Sequence, residues 1–331
     1  MQINPADLTR AAEILSTLRL EIGKAVVGQR EAVDQMLVGL VAGGHLLIAG
    51  PPGLGKTLLA RAVAKSTSLQ YARIQCTPDL QPADITGHVV LDAVALDVET
   101  PPPPRIARGP LFANLLLADS IDRAPPRAQA ALLEAMQEQQ VTLDGQTLPL
   151  PRPFMVIATQ DPVDADGTWP LPEAQLDRFL FRIEIGYPAL ADEASLVVRS
   201  TAPGASGPLP LAGVTPRLDA RNVLSLQKMA SHVQTDDRLV DYAVRIVRAT
   251  RTWAGVARGA SPRGAIALMR AARATALFAK RDAVSADDIR QCALPCLRHR
   301  VMLAPQAQFD GRRIDELLAA VLDSVDAPPP R

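Results

Sequence analysis

The segment Gly50-Pro51-Pro52-Gly53-Leu54-Gly55-Lys56-Thr57, continued by Leu58, has the residue types that hold phosphate. Its glycines let backbone N–H groups approach phosphate oxygens, and a helix starting at its end adds a positive dipole. In such a loop the lysine, Lys56, reaches the β and γ phosphates, and the hydroxyl of Thr57 binds Mg²⁺. Further on, the apolar run Leu115 to Ala118 ends in Asp119, a carboxylate that can hold Mg²⁺ directly or through water. These two pieces imply an ATP–Mg²⁺ site. The next residue is Ser120, where a nucleotide hydrolase needs a carboxylate to activate water.

A phosphate loop works only between a strand and a helix, and both are legible. Leu46 to Ala49 is a short apolar strand running into Gly50, and Leu58 to Ser66 is helical by propensity. Upstream, Leu8, Ala11, Leu15, Leu18 and Ile22 repeat at helical spacing, and a second helix spans about Arg30 to Ala42. Tyr71 to Gln75, Leu115 to Asp119, Phe154 to Thr159 and Phe181 to Ile185 are further strand candidates, separated by helical or irregular stretches. Buried runs without clean alternation predict a parallel sheet covered on both faces, hence an α/β module.

Two insertions interrupt that scheme. Residues 79–109 are expected to form a long loop carrying the proline run Pro101 to Pro104, and residues 140–150 a hairpin turning at Asp144-Gly145. A Pro, Gly and Ser-rich stretch at 203–216 separates an expected core, 1–202, from an expected all-helical domain, 217–331. Its helices are Val223 to Met229, Leu239 to Trp253, Arg263 to Phe278, Ala286 to Leu294 and Ile314 to Val325.

Composition narrows the function. Lys and Arg match Asp and Glu at 35 each, so no global field favours nucleic acid. The three cysteines, Cys76, Cys292 and Cys296, form no framework and suit a reducing cytoplasm, with Cys292 and Cys296 read as buried apolar residues. His45, His88, His232 and His299 have no spacing that suggests catalysis and are read as structural or surface residues. The amino terminus lacks a signal-peptide pattern, and no stretch approaches the roughly 20 apolar residues of a spanning helix.

Residues 77–87 (TPDLQPADITG), 109–138, 141–162, 167–188 and 259–289 resemble the MoxR family of AAA+ ATPases, a likeness that covers nearly the whole chain after Val26. The resemblance implies a P-loop AAA+ module with sheet order 5-1-4-3-2, followed by a helical lid. It identifies 79–109 as the insert in helix 2 and 140–150 as the hairpin before sensor 1. It also implies a homo-oligomeric ring, typically a hexamer, and a von Willebrand factor A domain partner. Lys56 and Thr57 then match Walker A, Asp119 the Walker B aspartate, Asp161 the sensor 1 position and Arg263 sensor 2. Arg178 matches the arginine that relatives present to a neighbouring subunit's γ-phosphate, and Val27-Gly28-Gln29 the segment lying against adenine.

Family members usually read ADEINR and ATQNP, where this chain reads Ala118-Asp119-Ser120-Ile121-Asp122-Arg123 and Ala158-Thr159-Gln160-Asp161-Pro162. A serine hydroxyl is too weak a base to deprotonate water near neutral pH, and losing a positioned base costs about 10² to 10⁴ in rate. Slow hydrolysis is expected by the standard route. Either Asp161 takes over as base from the adjacent strand, or the site is inactive. Like-charge repulsion from the γ-phosphate opposes the first alternative by favouring protonated Asp161. The sequence leaves the loop position of Asp122 open.

The expected activity is an ATP-driven, chaperone-like remodeller of a protein complex in the cytoplasm. The alternative is a nucleotide-gated assembly module that cleaves ATP little or not at all. A DNA-acting motor is disfavoured, because no DNA-binding module follows the lid. Client identity and pathway are not encoded in any motif.

Overall fold

In the computed structural model, which describes residues 3–90, 105–161, 167–201 and 211–329, five parallel strands form the central sheet. They are β1 (His45–Ala49), β2 (Tyr71–Gln75), β3 (Leu115–Asp119), β4 (Met155–Gln160) and β5 (Phe179–Glu184), in the order β2-β3-β4-β1-β5. Read from the other edge this is 5-1-4-3-2. β1 pairs with β4 on one side and β5 on the other, with Leu46 opposite Ile157 and Phe181.

The uninterrupted apolar runs follow from burial on both faces. Leu46 and Ile48 of β1, Leu115 and Leu117 of β3, and Met155 and Ile157 of β4 enter one core with the two amino-terminal helices, Pro5–Gly23 and Arg30–Val41. The intervening Leu47, Leu116, Ala118, Val156 and Ala158 enter the opposite core, which includes Leu132 and Leu133 of helix Pro126–Glu138. Successive strand residues point to opposite faces, so both sets must be apolar here.

Residues 140–150 form the expected hairpin, Gln140–Leu143 paired with Gln146–Pro149. Asp144 and Gly145 have φ of 45° and 79°, the two positive values that a tight hairpin turn of this hand requires. The described part of 79–109 departs from the loop expectation. A short helix, Pro82–Thr86, leads into an antiparallel pair, Gly87–Val90 with Arg105–Arg108. Glycine permits this pairing, because a Cβ on Gly87 would stand 2.1 Å from the carbonyl oxygen of Ala107. The run Pro101 to Pro104 and most of the 203–216 linker lie outside the described residues.

Beyond Val214, helices Ala220–Ser231, Asp237–Thr252, Pro262–Phe278, Ala286–Leu297 and Ile314–Ser324 match the five expected segments. A short antiparallel pair, Val256–Arg258 with Met302–Leu303, joins loops between them. These helices pack on the α/β core, and Asp177 links the two. It accepts from Ser261 Oγ at 2.8 Å and Arg300 Nε at 2.8 Å. The Arg300 side chain is 3% exposed and also donates to the carbonyls of Asp177 and Phe179.

Candidate functional site at the carboxyl ends of the strands

The loop from Gly50 to Gly55 leaves the carboxyl end of β1 and feeds helix Lys56–Ser66. Gly50 lies so close to β5 that a Cβ would stand 2.3 Å from the Ile185 carbonyl oxygen. Gly55 takes φ 83° as the residue before the helix, a left-handed geometry that exposes the first N–H groups of the helix. Lys56 is 8% exposed, and its ammonium donates to the carbonyls of Gly50 at 2.7 Å and Pro51 at 2.8 Å. Lys56 Nζ also ion-pairs with Asp161 Oδ1 at 2.6 Å.

Asp119 is the hub of the neighbouring cluster. Its Oδ2 accepts from Thr57 Oγ1 at 3.0 Å and from Arg73 at 2.7 and 3.0 Å. Its Oδ1 accepts from Thr159 Oγ1 at 2.7 Å, and Thr159 Oγ1 in turn accepts from the Ser120 N–H at 2.8 Å. The β3–β4 register creates this relay by placing Ala118 opposite Ala158 and bringing the two strand ends together. The Thr57 hydroxyl and the Asp119 carboxylate are hard oxygen donors, converging within hydrogen-bond distance, and so fit Mg²⁺. A bound Mg²⁺ would neutralise charge on the β and γ phosphates.

Ser120 occupies the left-handed region, with φ 58° and ψ 58°, and ends β3. One turn of 3-10 helix, Ile121–Arg123, follows. It buries Asp122, which is 4% exposed, with Oδ1 lacking a hydrogen-bond partner. Burial, followed by the charge of Asp161, pushes the Asp122 carboxyl above its usual value, while its own backbone N–H, Arg123 and Lys56 act the other way.

Val27-Gly28-Gln29 lies against the chain after β5. Gln29 Nε2 donates to the Gly186 carbonyl at 2.8 Å, and a Cβ on Gly28 would meet the Asp192 side chain at 2.9 Å.

Arg178 and Arg263 are not in this cluster. Together they line a cavity of about 360 Å³ with Gly43, Gly44, His45 and Arg270. That cavity lies at the amino ends of β1 and β5, where His45 is opposite Phe179. The five residues of β1, about 16 Å of strand, separate it from the phosphate loop. Arg178 donates to Gln137 Oε1 there, and Arg263 is exposed at the start of its helix.

Sequence reasoning missed Arg73 and Thr159, which hold Asp119. The signal for Thr159 was its place at the end of a buried strand beside Asp161. For Arg73 it was a charged residue inside a strand, which needs a partner once the sheet forms.

Two histidines are structural. His45 is buried, its Nδ1 accepting from the Val156 N–H at 3.0 Å and its Nε2 donating to the Met136 carbonyl at 3.1 Å. His299 is buried against the Phe179 carbonyl. All three thiols are buried, and burial pushes Cys76 and Cys292 up to about 12. Among the described residues, no helix is long and apolar enough to cross a membrane.

A glycine loop between strand and helix, a strand-end aspartate bonded to the loop threonine, and a helical lid on a 5-1-4-3-2 sheet define an AAA-type ATPase module. Residues 45–181 match the model of the ATPase family associated with various cellular activities, and residues 248–321 match an AAA lid domain. The chain belongs to the MoxR family of AAA+ ATPases. It is 40% identical to the chaperone MoxR1 of Mycobacterium tuberculosis (strain ATCC 25618 / H37Rv) over 96% of this chain and 84% of that one. It is 42% identical to YeaC of Bacillus subtilis (strain 168), over 93% of this chain and 92% of that protein. A crystal structure from Cytophaga hutchinsonii ATCC 33406 superposes with a TM-score of 0.86 at 35% identity, covering 97% of each chain.

Proposed function

We propose that the chain binds ATP–Mg²⁺ at Gly50 to Thr57 and Asp119, hydrolyses it slowly, and uses the cycle to remodel or assemble a protein complex in the cytoplasm. The single observation that carries the nucleotide reading is the set Thr57, Asp119 and Thr159, bonded to one another beside a Lys56 folded back onto the loop carbonyl of Gly50. Gly50, Pro51, Pro52, Gly53, Leu54, Gly55 and Leu58 complete the phosphate cradle, with Val27 and Gln29 beside the base. Asp161 stands as the phosphate-sensing group next to Lys56. The printed name of the relative MoxR1, a chaperone, supports the remodelling role.

Arg178 and Arg263 cannot serve the phosphate loop of their own subunit, since a strand length lies between them. We read them as serving a neighbour's nucleotide in a homo-oligomeric ring, taken as a hexamer. A von Willebrand factor A domain protein is the proposed partner, with no nucleic acid and no membrane insertion.

Ser120 favours a second reading, a nucleotide-gated module that sets assembly with little or no cleavage. Phosphate release by the purified chain at saturating ATP separates the two. Turnover that disappears in Lys56→Ala supports the hydrolytic reading. Tight ATP binding without phosphate release supports the gated one.

A further inference from the structure

We infer that helix Leu190–Thr201 of one copy of the chain docks in an apolar, arginine-rimmed groove between helices Asp237–Thr252 and Pro262–Phe278 of the next copy. This rests on the ring reading above and names the surfaces that would build it. Among the described residues eleven large apolar side chains are exposed, and seven of them fall on these two surfaces. Single exposed apolar residues are ordinary, whereas clusters mark contacts.

Helix Leu190–Thr201 has no buried residue. Leu190, Ala194, Val197 and Val198 follow the i, i+4, i+7, i+8 spacing of one helix face, and all four are exposed, Leu190 at 86% and Val198 at 68%. The opposite face is the one held by its own subunit. There Asp192 lies against Gly28, Leu196 is half-buried, and Arg199 donates to the Lys24 carbonyl. Glu193 is exposed at the edge of the apolar stripe, and Tyr187, just before the helix, is exposed as well.

The groove has the complementary character. It encloses about 530 Å³, and Val240, Val244 and Ile266 leave its apolar lining exposed. Its four arginines are Arg248, Arg251, Arg270 and Arg273. Arg251 donates to the Ala260 carbonyl, Arg270 to the carbonyls of Ala42 and Gly43, and Arg273 to the Thr235 hydroxyl. Among the described residues none of the four meets a carboxylate. The groove therefore suits an apolar helix that brings a carboxylate, such as Glu193, and an aromatic face on which a guanidinium can stack, such as Tyr187.

Placement makes the occupant a second copy. Arg270 lines both this groove and the cavity of Arg178 and Arg263, at the amino ends of the strands. Helix Leu190–Thr201 follows the carboxyl end of β5, beside Gly28 and the phosphate loop. The six residues of β5, about 20 Å of strand, stand between the two surfaces, so a helix cannot fill the groove of its own subunit. Unlike surfaces that pair between copies make a heterologous contact, the kind that closes into rings. The same contact carries one subunit's phosphate loop toward its neighbour's Arg178 and Arg263.

The test uses the full chain with Val198→Cys or Val244→Cys, since the natural thiols are all buried. The two proteins are mixed before ATP and Mg²⁺ are added, then treated with a short bis-maleimide. Cross-linked dimers should form in the mixture and not in either protein alone. Separately, Val198→Asp and Ile266→Asp, both at exposed positions, should each raise the concentration for half-assembly in sedimentation by at least about tenfold. No cross-link in the mixture, with both variants assembling within about threefold of a wild type that forms rings, overturns the contact and leaves the ring. A cross-link in either protein alone also overturns it, since like surfaces then meet. Wild-type protein that stays monomeric with ATP and Mg²⁺ overturns the ring reading and the contact together.

Discussion

Lys56 Nζ lies 2.6 Å from Asp161 Oδ1, so the lysine of the glycine-rich loop is held by a carboxylate. Both side chains are largely withdrawn from water, 8% and 18% exposed, so solvent screens their attraction little. On the proposed nucleotide reading, incoming phosphate competes with Asp161 for the same ammonium.

That competition predicts tighter ATP binding when the carboxylate is removed. Asp161→Asn should lower the Kd for ATP about five- to tenfold, roughly 1 to 1.4 kcal/mol. Titration of a fluorescent ATP analogue measures it, and weaker binding in the variant would contradict the competition.

Thr159 couples three groups through one hydroxyl. Thr159→Val leaves Asp119 Oδ1 and the Ser120 N–H without this partner and should destabilise the fold by about 1–3 kcal/mol. It should also weaken Mg²⁺ dependence of nucleotide binding, because Asp119 loses its orientation. Chemical denaturation gives the first quantity, and ATP titration across Mg²⁺ concentrations gives the second.

The position of Arg178 and Arg263 predicts complementation between subunits. Arg178→Ala alone should bind ATP and turn over at least about 10³-fold more slowly, the scale of a lost arginine finger. Mixing it with Lys56→Ala should restore measurable turnover, since a Lys56→Ala subunit supplies an intact arginine to a neighbour with an intact loop. Absence of any recovery in mixed assemblies would argue against action across subunits.

Arg300 should matter for stability more than for chemistry. Its buried guanidinium joins the lid to Asp177 and to two carbonyls of the core. Arg300→Ala strands Asp177 and those carbonyls, and should cost about 3–5 kcal/mol in denaturant unfolding.

His45 sets a pH dependence. Burial, the largest influence, lowers its pKa from 6.5 to about 4, with the Met136 carbonyl opposing and Arg270 assisting. The unfolded chain therefore binds more protons than the folded one between those values. Stability contributed by neutral His45 is complete above about pH 6.5 and is lost as pH falls toward 4, up to about 3 kcal/mol. His299 adds loss of the same sign. Unfolding curves from pH 4 to 7 should show this slope, and His45→Gln should flatten it even if the variant is less stable overall.

The phosphate loop was legible because its function resides in contiguous backbone: glycines that permit the turn, then a helix start that aims N–H groups. The five strands were legible because burial on both faces demands apolar runs, and the hairpin at 140–150 because Asp144-Gly145 takes positive φ at low cost. Strand order came with the family resemblance and not with hydrophobic pattern, since every buried strand reads alike. The pair of strands in 79–109 was missed because a charged, proline-containing stretch carries no alternation.

What only the tertiary structure decided is which distant side chains meet. Register between β3 and β4 brings Thr159 to Asp119 and Ser120, and the folded loop brings Lys56 to Asp161. Arg178 lies at the opposite end because it immediately precedes β5, and Arg263 joins it there from the first turn of helix Pro262–Phe278. Ser120 and Asp161 were visible as residue types in the sequence. That Asp161 is occupied by a lysine while Asp122 is buried with an oxygen to spare depends on charges and burial that exist only once the strands have paired.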